Sequence, residues 1–190
     1  MPRPPDEQRR VELLAGVVDY IATYGLAELS LRPLAAYLGT SSRMLIHYFG
    51  TKEQMLIAAL ETQRPDVAAM FAEVTTVAEL RARLLAVGSD QTGVPVVTST
   101  RVLMQVIGAA TVTDSPFRPY AYRAVRVLVD AMTGVLQRLE PPISDPEATA
   151  TLLISGVRGL IQDQLITGDS ERVAAAAQQL VDRILPPSPA

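Results

Sequence analysis

The chain has no cysteine and no tryptophan, one histidine and one lysine. Without cysteine, disulfides and thiolate chemistry are excluded, and no pairing informs on the redox compartment. With His47 alone, one chain cannot build a zinc site from His and Cys. No EF-hand spacing offers a carboxylate cage for a harder cation, so neither metal nor cofactor is expected. A surplus of positive charge is also lacking. The formal net charge is -3, which argues against a non-specific nucleic-acid binder coated in Lys and Arg. Up to Leu56 the chain carries six basic residues (Arg3, Arg9, Arg10, Arg32, Arg43, Lys52) and six acidic ones, so any affinity for DNA must come from where the charges sit. Nor is there a long hydrophobic run. The nearest imitation, residues 94–112, is interrupted by Arg101, Gln105 and several threonines, and reads as a buried helix rather than a membrane span. The first apolar stretch is broken by Glu12 and Asp19, unlike a signal peptide. A cytoplasmic protein with no membrane partner is the expectation.

What is present is helical periodicity. With 48% hydrophobic residues over 190 positions, the chain can bury a sizeable core. Apolar residues recur at Val11, Leu14, Ala15, Val18, Ile21 and Ala22, one stripe of a helix over 6–24 that Gly25 ends. Ser30 is placed to cap a short helix with Pro33 in its first turn, which Gly39 ends. A third short helix runs over 42–48. Gly50 breaks it, and Thr51 with Gln54 forms a capping box. Further helices are expected over 51–71 with a kink at Pro65, over 77–87, over 96–112, and over 115–139 opened by Ser115 and Pro116. A capping box of Ser144 and Glu147 opens one that ends at Gly168, and Asp169 caps a last one to Leu185. Residues 88–95 read as a loop. No strand alternation is sustained, so the fold class is all-α.

Three helices in the first fifty residues, with a tight Gly-containing turn between the second and third, fit a helix-turn-helix. Its last helix enters the major groove of double-stranded DNA. Leu45 and Phe49, four apart, share the inner face. At about 100° per residue, Arg43 and His47 project oppositely, flanked by Met44 and Ile46. Arginine can read guanine bidentately and methionine can touch a thymine methyl. Ser41 and Ser42 at the helix start, Lys52 at the start of the next helix and Arg32 on the second are placed for phosphate. No nucleophile–histidine–acid set lies outside this helix, and there is no phosphate loop or dinucleotide fingerprint, so an enzyme is not expected.

The segment from Ser30 to Leu56 resembles the signature of TetR-family regulators. The resemblance is carried by the Gly39-Thr40-Ser41 turn, by His47-Tyr48-Phe49 closing the third helix, and by Lys52, Glu53 and Leu56. It covers about fifty residues, and the C-terminal part is similar in its succession of helices and its closing pattern from Gly156 to Ile184. The family often has Tyr where this chain has Ile46, so a phosphate contact there is not carried over. The resemblance favours phosphate contact by Tyr48. It implies a DNA-binding domain over 1–50 and a ligand-binding and dimerisation domain over 51–190. It also implies a homodimeric repressor on a near-palindromic operator, released by a small ligand.

Within the second domain, Met104, Ile107, Phe117 and Met132 are candidates to line a greasy cavity. Arg101, Gln105, Arg126, Arg158 and Gln162 are candidates for its interior or mouth. An arginine buried there would need a partner, which points to a hydrophobic ligand, neutral or weakly anionic. The same arginines could instead lie on the surface, paired with Asp130, Asp163 or Glu140. Gly156 and Gly159 permit close approach on one helix. Val173, Ala176, Ala177, Leu180 and Ile184 form an apolar stripe on the next, which could equally pack within one chain. The resemblance assigns this pair of helices to the dimer interface.

Overall fold

A computed structural model describes residues 4–62, 67–86 and 96–186. Among these residues every regular element is a helix: α1 (Pro4–Tyr24), α2 (Leu31–Tyr37), α3 (Ser42–Phe49), α4 (Lys52–Thr62), α5 (Val67–Met70), α6 (Val77–Ala86), α7 (Val96–Ala110), α8 (Arg118–Arg138), α9 (Pro146–Thr167) and α10 (Ser170–Ile184). The expected kink at Pro65 and the loop over 88–95 lie outside the described residues.

The chain divides into two compact units, residues 1–65 with 95–122 and residues 66–94 with 123–190. The division expected from sequence, at residue 50, differs in two ways. The first unit runs on through α4, and it takes in α7. The reason is packing: α1 lies against both α4 and α7. Leu13, Leu14, Val17, Val18 and Ile21 of α1 are buried, as are Met55, Leu56, Ala59 and Leu60 of α4 and Val102 and Val106 of α7. The buried stripe of α1 is rotated from the one read in the sequence. Val11 is 54% exposed, and Leu13 and Val17 take the interior.

Helix starts follow local chemistry, with two corrections. Thr51 and Gln54 make the expected reciprocal box: the Thr51 N–H donates to Gln54 Oε1 (2.9 Å) and the Gln54 N–H to Thr51 Oγ1 (3.1 Å). Asp169 caps α10 by accepting from the Arg172 N–H at 3.0 Å. Ser30 stands at the N-cap of α2, but its side chain makes no cap hydrogen bond. The third helical position there is Pro33, which has no N–H to donate. The cap of α9 is Asp145 rather than Ser144, because Pro146 occupies the first helical position and Asp145 accepts from the Ala148 N–H at 3.3 Å. Glu147 is thereby freed to meet Arg126 at 3.1 Å. Thr76 and Glu79 form a further box ahead of α6 that the sequence reading passed over. Ser115 and Pro116 make a turn before α8 rather than its first residues, with the Arg118 N–H donating to the Ser115 carbonyl at 3.1 Å.

The second unit closes around Phe71, Leu80, Leu84, Val129, Met132, Leu136, Leu139, Leu153, Val181 and Leu185. α9 packs against α10 and α10 against α6. Gly156 makes the first of these possible, since a Cβ there would lie 2.6 Å from Leu180 Cδ2. Arg81 of α6 finishes α10. Its guanidinium donates to the Val181 carbonyl at 3.4 Å, to the Leu185 carbonyl and to Asp182 Oδ1. A cation there satisfies carbonyls the helix leaves unpaired and complements its negative end. Arg81, and secondarily Gln178, hold the Asp182 carboxyl below the usual aspartate range. A depressed carboxyl contributes stability above its unfolded pKa and loses it as pH falls through the folded value. Arg81→Met keeps the apolar stem and removes the donors. It should lower unfolding stability by about 1–3 kcal/mol at neutral pH, measured by urea titration. The gap to wild type should narrow below the ordinary aspartate range; a gap independent of pH would refute the Asp182 contribution.

Candidate DNA-binding face

The geometry of α3 follows from two anchors. Leu45 and Phe49 are buried on one side of the helix. α3 also packs on α2 and on α4, which holds it from both sides. Between α2 and α3 the chain turns at Gly39 with φ +61°, a conformation that disfavours a side chain, and the Thr40 N–H closes the turn on the Ala35 carbonyl at 2.9 Å. The opposite face of α3 is left outward. Arg43 and His47 are exposed, and Met44 and Ile46 are 40% and 42% exposed. Two large apolar side chains beside an arginine and an imidazole make a mixed surface, suited to base edges and thymine methyls.

The remaining members of the predicted set surround that face. Ser41 is the N-cap of α3. Its Oγ accepts from the Met44 N–H at 3.2 Å, which leaves its hydroxyl proton free to donate to a phosphate. Ser42 is half-buried and Arg32 is exposed on α2. The Tyr48 hydroxyl donates to Asp6 Oδ1 at 3.4 Å, and its ring stands edge-on to His47. Lys52 is half-buried, and its Nζ donates to the Leu29 carbonyl at 3.3 Å. It therefore ties the start of α4 to the segment before α2, with two further donors left.

Sequence reasoning missed the first turns of α1. Asp6 reaches Tyr48, and the guanidinium of Arg10 lies 5.4 Å from the centre of the Phe49 ring. A signal was available, for Arg10 continues the stripe of Leu13, Leu14 and Val17 by helical spacing.

The residues nominated for a ligand fall in both units. In the first, Arg101 is exposed, and Met104, Ile107 and Phe117 are half-buried. Gln105 is engaged by the backbone, its Oε1 accepting from the Leu26 N–H at 2.6 Å. In the second, Met132 is fully buried within the hydrophobic core, and Gln162 is exposed. Arg126 follows the surface alternative, pairing with Asp130 at 2.6 Å and Glu147 at 3.1 Å. Arg158 is half-buried. Its Nη2 lies 3.4 Å from Ser155 Oγ, and its Nη1 is buried without a hydrogen-bond partner.

The nominated dimer residues divide in two. Val173 is buried and Ile184 half-buried within the chain, Ile184 against the core of the second unit. Gly156 receives Leu180 of the same chain. Ala177 is half-buried. Gly159, Leu160, Ala176 and Leu180 line an open groove along α9 and α10. Flanking Gly159 on α9 are Leu152, 60% exposed, and Ile166, 75% exposed.

The comparisons with known proteins agree with this geometry. The family described as "Bacterial regulatory proteins, tetR family" matches residues 13–59, which contain α2, α3 and most of α1 and α4. The family described as "Tetracyclin repressor-like, C-terminal domain" matches residues 98–187. The chain belongs to the TetR family. A search of curated proteins finds no match. Solved structures share the fold. A TetR-family transcriptional regulator from Cytophaga hutchinsonii has a TM-score of 0.76 at 18% identity, covering 99% of this chain and 100% of its own. A TetR-family regulator from Rhodococcus sp. has 0.74 at 20% identity, covering 94% and 99%. NalD of Pseudomonas aeruginosa, the secondary repressor of a multidrug efflux pump, has 0.70 at 16% identity, covering 94% and 95%. As a TetR-family member this protein is a DNA-binding transcriptional regulator and not an enzyme.

For this TetR-family regulator, Arg43→Ala should cost about 1–3 kcal/mol at a cognate operator and relax discrimination at one base position. Anisotropy titrations against operator variants measure both. Unchanged affinity in the Arg43→Ala, His47→Ala double variant would remove α3 from the role of reader.

Proposed function

We propose that this regulator is a homodimeric repressor. It would occupy a near-palindromic operator with two copies of α3 and leave it on binding a small, mainly apolar ligand that is neutral or weakly anionic. The observation carrying the DNA part is the outward face of α3, where Arg43, Met44, Ile46 and His47 stand exposed while Leu45 and Phe49 anchor the helix. Ser41, Ser42, Arg32, Tyr48 and Lys52 are the proposed backbone contacts around it.

Dimerisation is supported by α9. Leu152, Gly159 and Ile166 recur every seven residues, two helical turns, so they share one side of the helix. Large apolar side chains exposed in such a row are a surface that a partner helix can cover. A second copy is the occupant favoured here, because two-fold symmetry is what a palindromic site demands.

Ligand polarity rests on Arg158. A half-buried guanidinium with a buried, unpartnered nitrogen favours an anionic group nearby. Ligand binding would shift the population toward a state in which the two copies of α3 no longer match successive grooves.

Light scattering should give a dimer at micromolar concentration. Ile166→Glu should move the protein toward monomer and weaken operator binding more than tenfold. A wild-type monomer that binds the operator as one unit would contradict the dimer. In a thermal-shift screen, hydrophobic acids and neutral lipophiles should raise Tm, and at least one should release operator DNA. If only sugars or multivalent cations did so, the ligand class would be wrong and the DNA reading would stand.

A further inference from the structure

The basic residues of the first unit differ in how they are neutralised. Arg9 pairs with Glu12 at 3.2 Å, and its Nη2 donates to the Leu38 carbonyl at 3.4 Å. Arg10, next to it, has no hydrogen bond or ion pair among the described residues. Its Nε is buried with no acceptor. The absence of a partner is not for want of carboxylates. Asp6, Glu7 and Glu12 lie within four residues of it, and Asp6 stands one helical turn before it, where an ion pair is easily made. Asp6 is instead turned to the Tyr48 hydroxyl. What holds Arg10 is the ring of Phe49, 5.4 Å away, the last residue of α3.

A ring face fixes a guanidinium without neutralising it. The contact lies at the carboxyl end of α3, where the helix dipole also favours a cation. Beside it is Tyr48, whose hydroxyl in the free protein already donates to an anionic oxygen, that of Asp6. Only Nε of the guanidinium is buried and unpartnered, so Arg10 keeps its terminal donors for an external acceptor. The Phe49 ring thus sets a charged fork at a fixed place relative to the reading helix.

We infer that Arg10 is a DNA phosphate contact, held in register with α3 by the Phe49 ring, and that it contributes affinity without base preference. This rests on the reading of α3 as the helix that enters the groove. The alternative is a staple in which Arg10 only packs on Phe49, and charge decides between them. Arg10→Gln and Arg10→Met keep a stem over the ring and lose the cation, whereas Arg10→Lys keeps the cation.

The test is anisotropy titration of the full-length protein against a selected operator and an unrelated duplex of equal length, across a salt series, with the melting temperature of each free variant recorded. The uncharged variants should bind both duplexes roughly five- to tenfold more weakly at about 0.1 M salt. The slope of log K against log salt should flatten by about one per protomer. Arg10→Lys should keep most of the slope, and all variants should melt close to wild type. If either folded uncharged variant keeps the wild-type slope, the inference is overturned, including where affinity falls together with melting temperature as a staple requires. Arg43→Ala, run alongside, tests the underlying reading separately, because only that reading requires it to lose preference for the operator over the unrelated duplex.

Discussion

The burial of Leu45 and Phe49 is the contact on which the working face depends. α3 has eight residues, too few to hold a helix in water on local hydrogen bonds. Its persistence and its rotation about its own axis come from those two side chains, one turn apart, entering the interior of the first unit. A rotation of one residue, about 100°, would bury Met44 or Ile46 and withdraw Arg43. The helix is therefore specified as much by what it hides as by what it shows. Gly39 and the Ser41 cap set where it begins, and Gly50, at φ +80°, lets the chain leave for α4.

Charge acts through placement throughout the molecule. In the second unit arginines are largely consumed by structure. Arg81 closes α10, Arg126 joins Asp130 and Glu147, and Arg172 joins Asp163 and Asp169 at the α9–α10 turn. In the segment to Leu56, Arg32 and Arg43 are free of carboxylates and exposed, and Arg10 rests on a ring. Opposite charges in equal number thus yield a locally positive rim, and the acidic excess lies elsewhere in the chain.

The helix-turn-helix was legible because it is local. Gly39, the apolar pair Leu45 and Phe49, and the Thr51–Gln54 box act over a few residues, and the structure keeps each of them. The misreadings are of two kinds. At Ser30 and Ser144 the pattern of a cap was read without checking which N–H the proline removes or which residue it promotes. The others depend on distant packing. That α7 joins the first unit, that Met132 is core, that Gln105 serves the Leu26 N–H and that Asp6 and Arg10 reach the end of α3 all require chain segments far apart in sequence. Periodicity placed the helices of the second unit well, but it could not separate the side of α9 that takes up Leu180 from the side that leaves Leu152 and Ile166 exposed.

The most direct test of the account is selection of bound duplexes from a random pool by the full-length protein. Two copies of α3 on one symmetric molecule require two inverted half-sites, their centres about one helical turn of DNA or a multiple apart. Enrichment of such a two-fold symmetric sequence is the predicted result. Recovery of no enriched sequence, or of a single unrepeated half-site, would contradict the claim that α3 reads DNA as one of a symmetric pair.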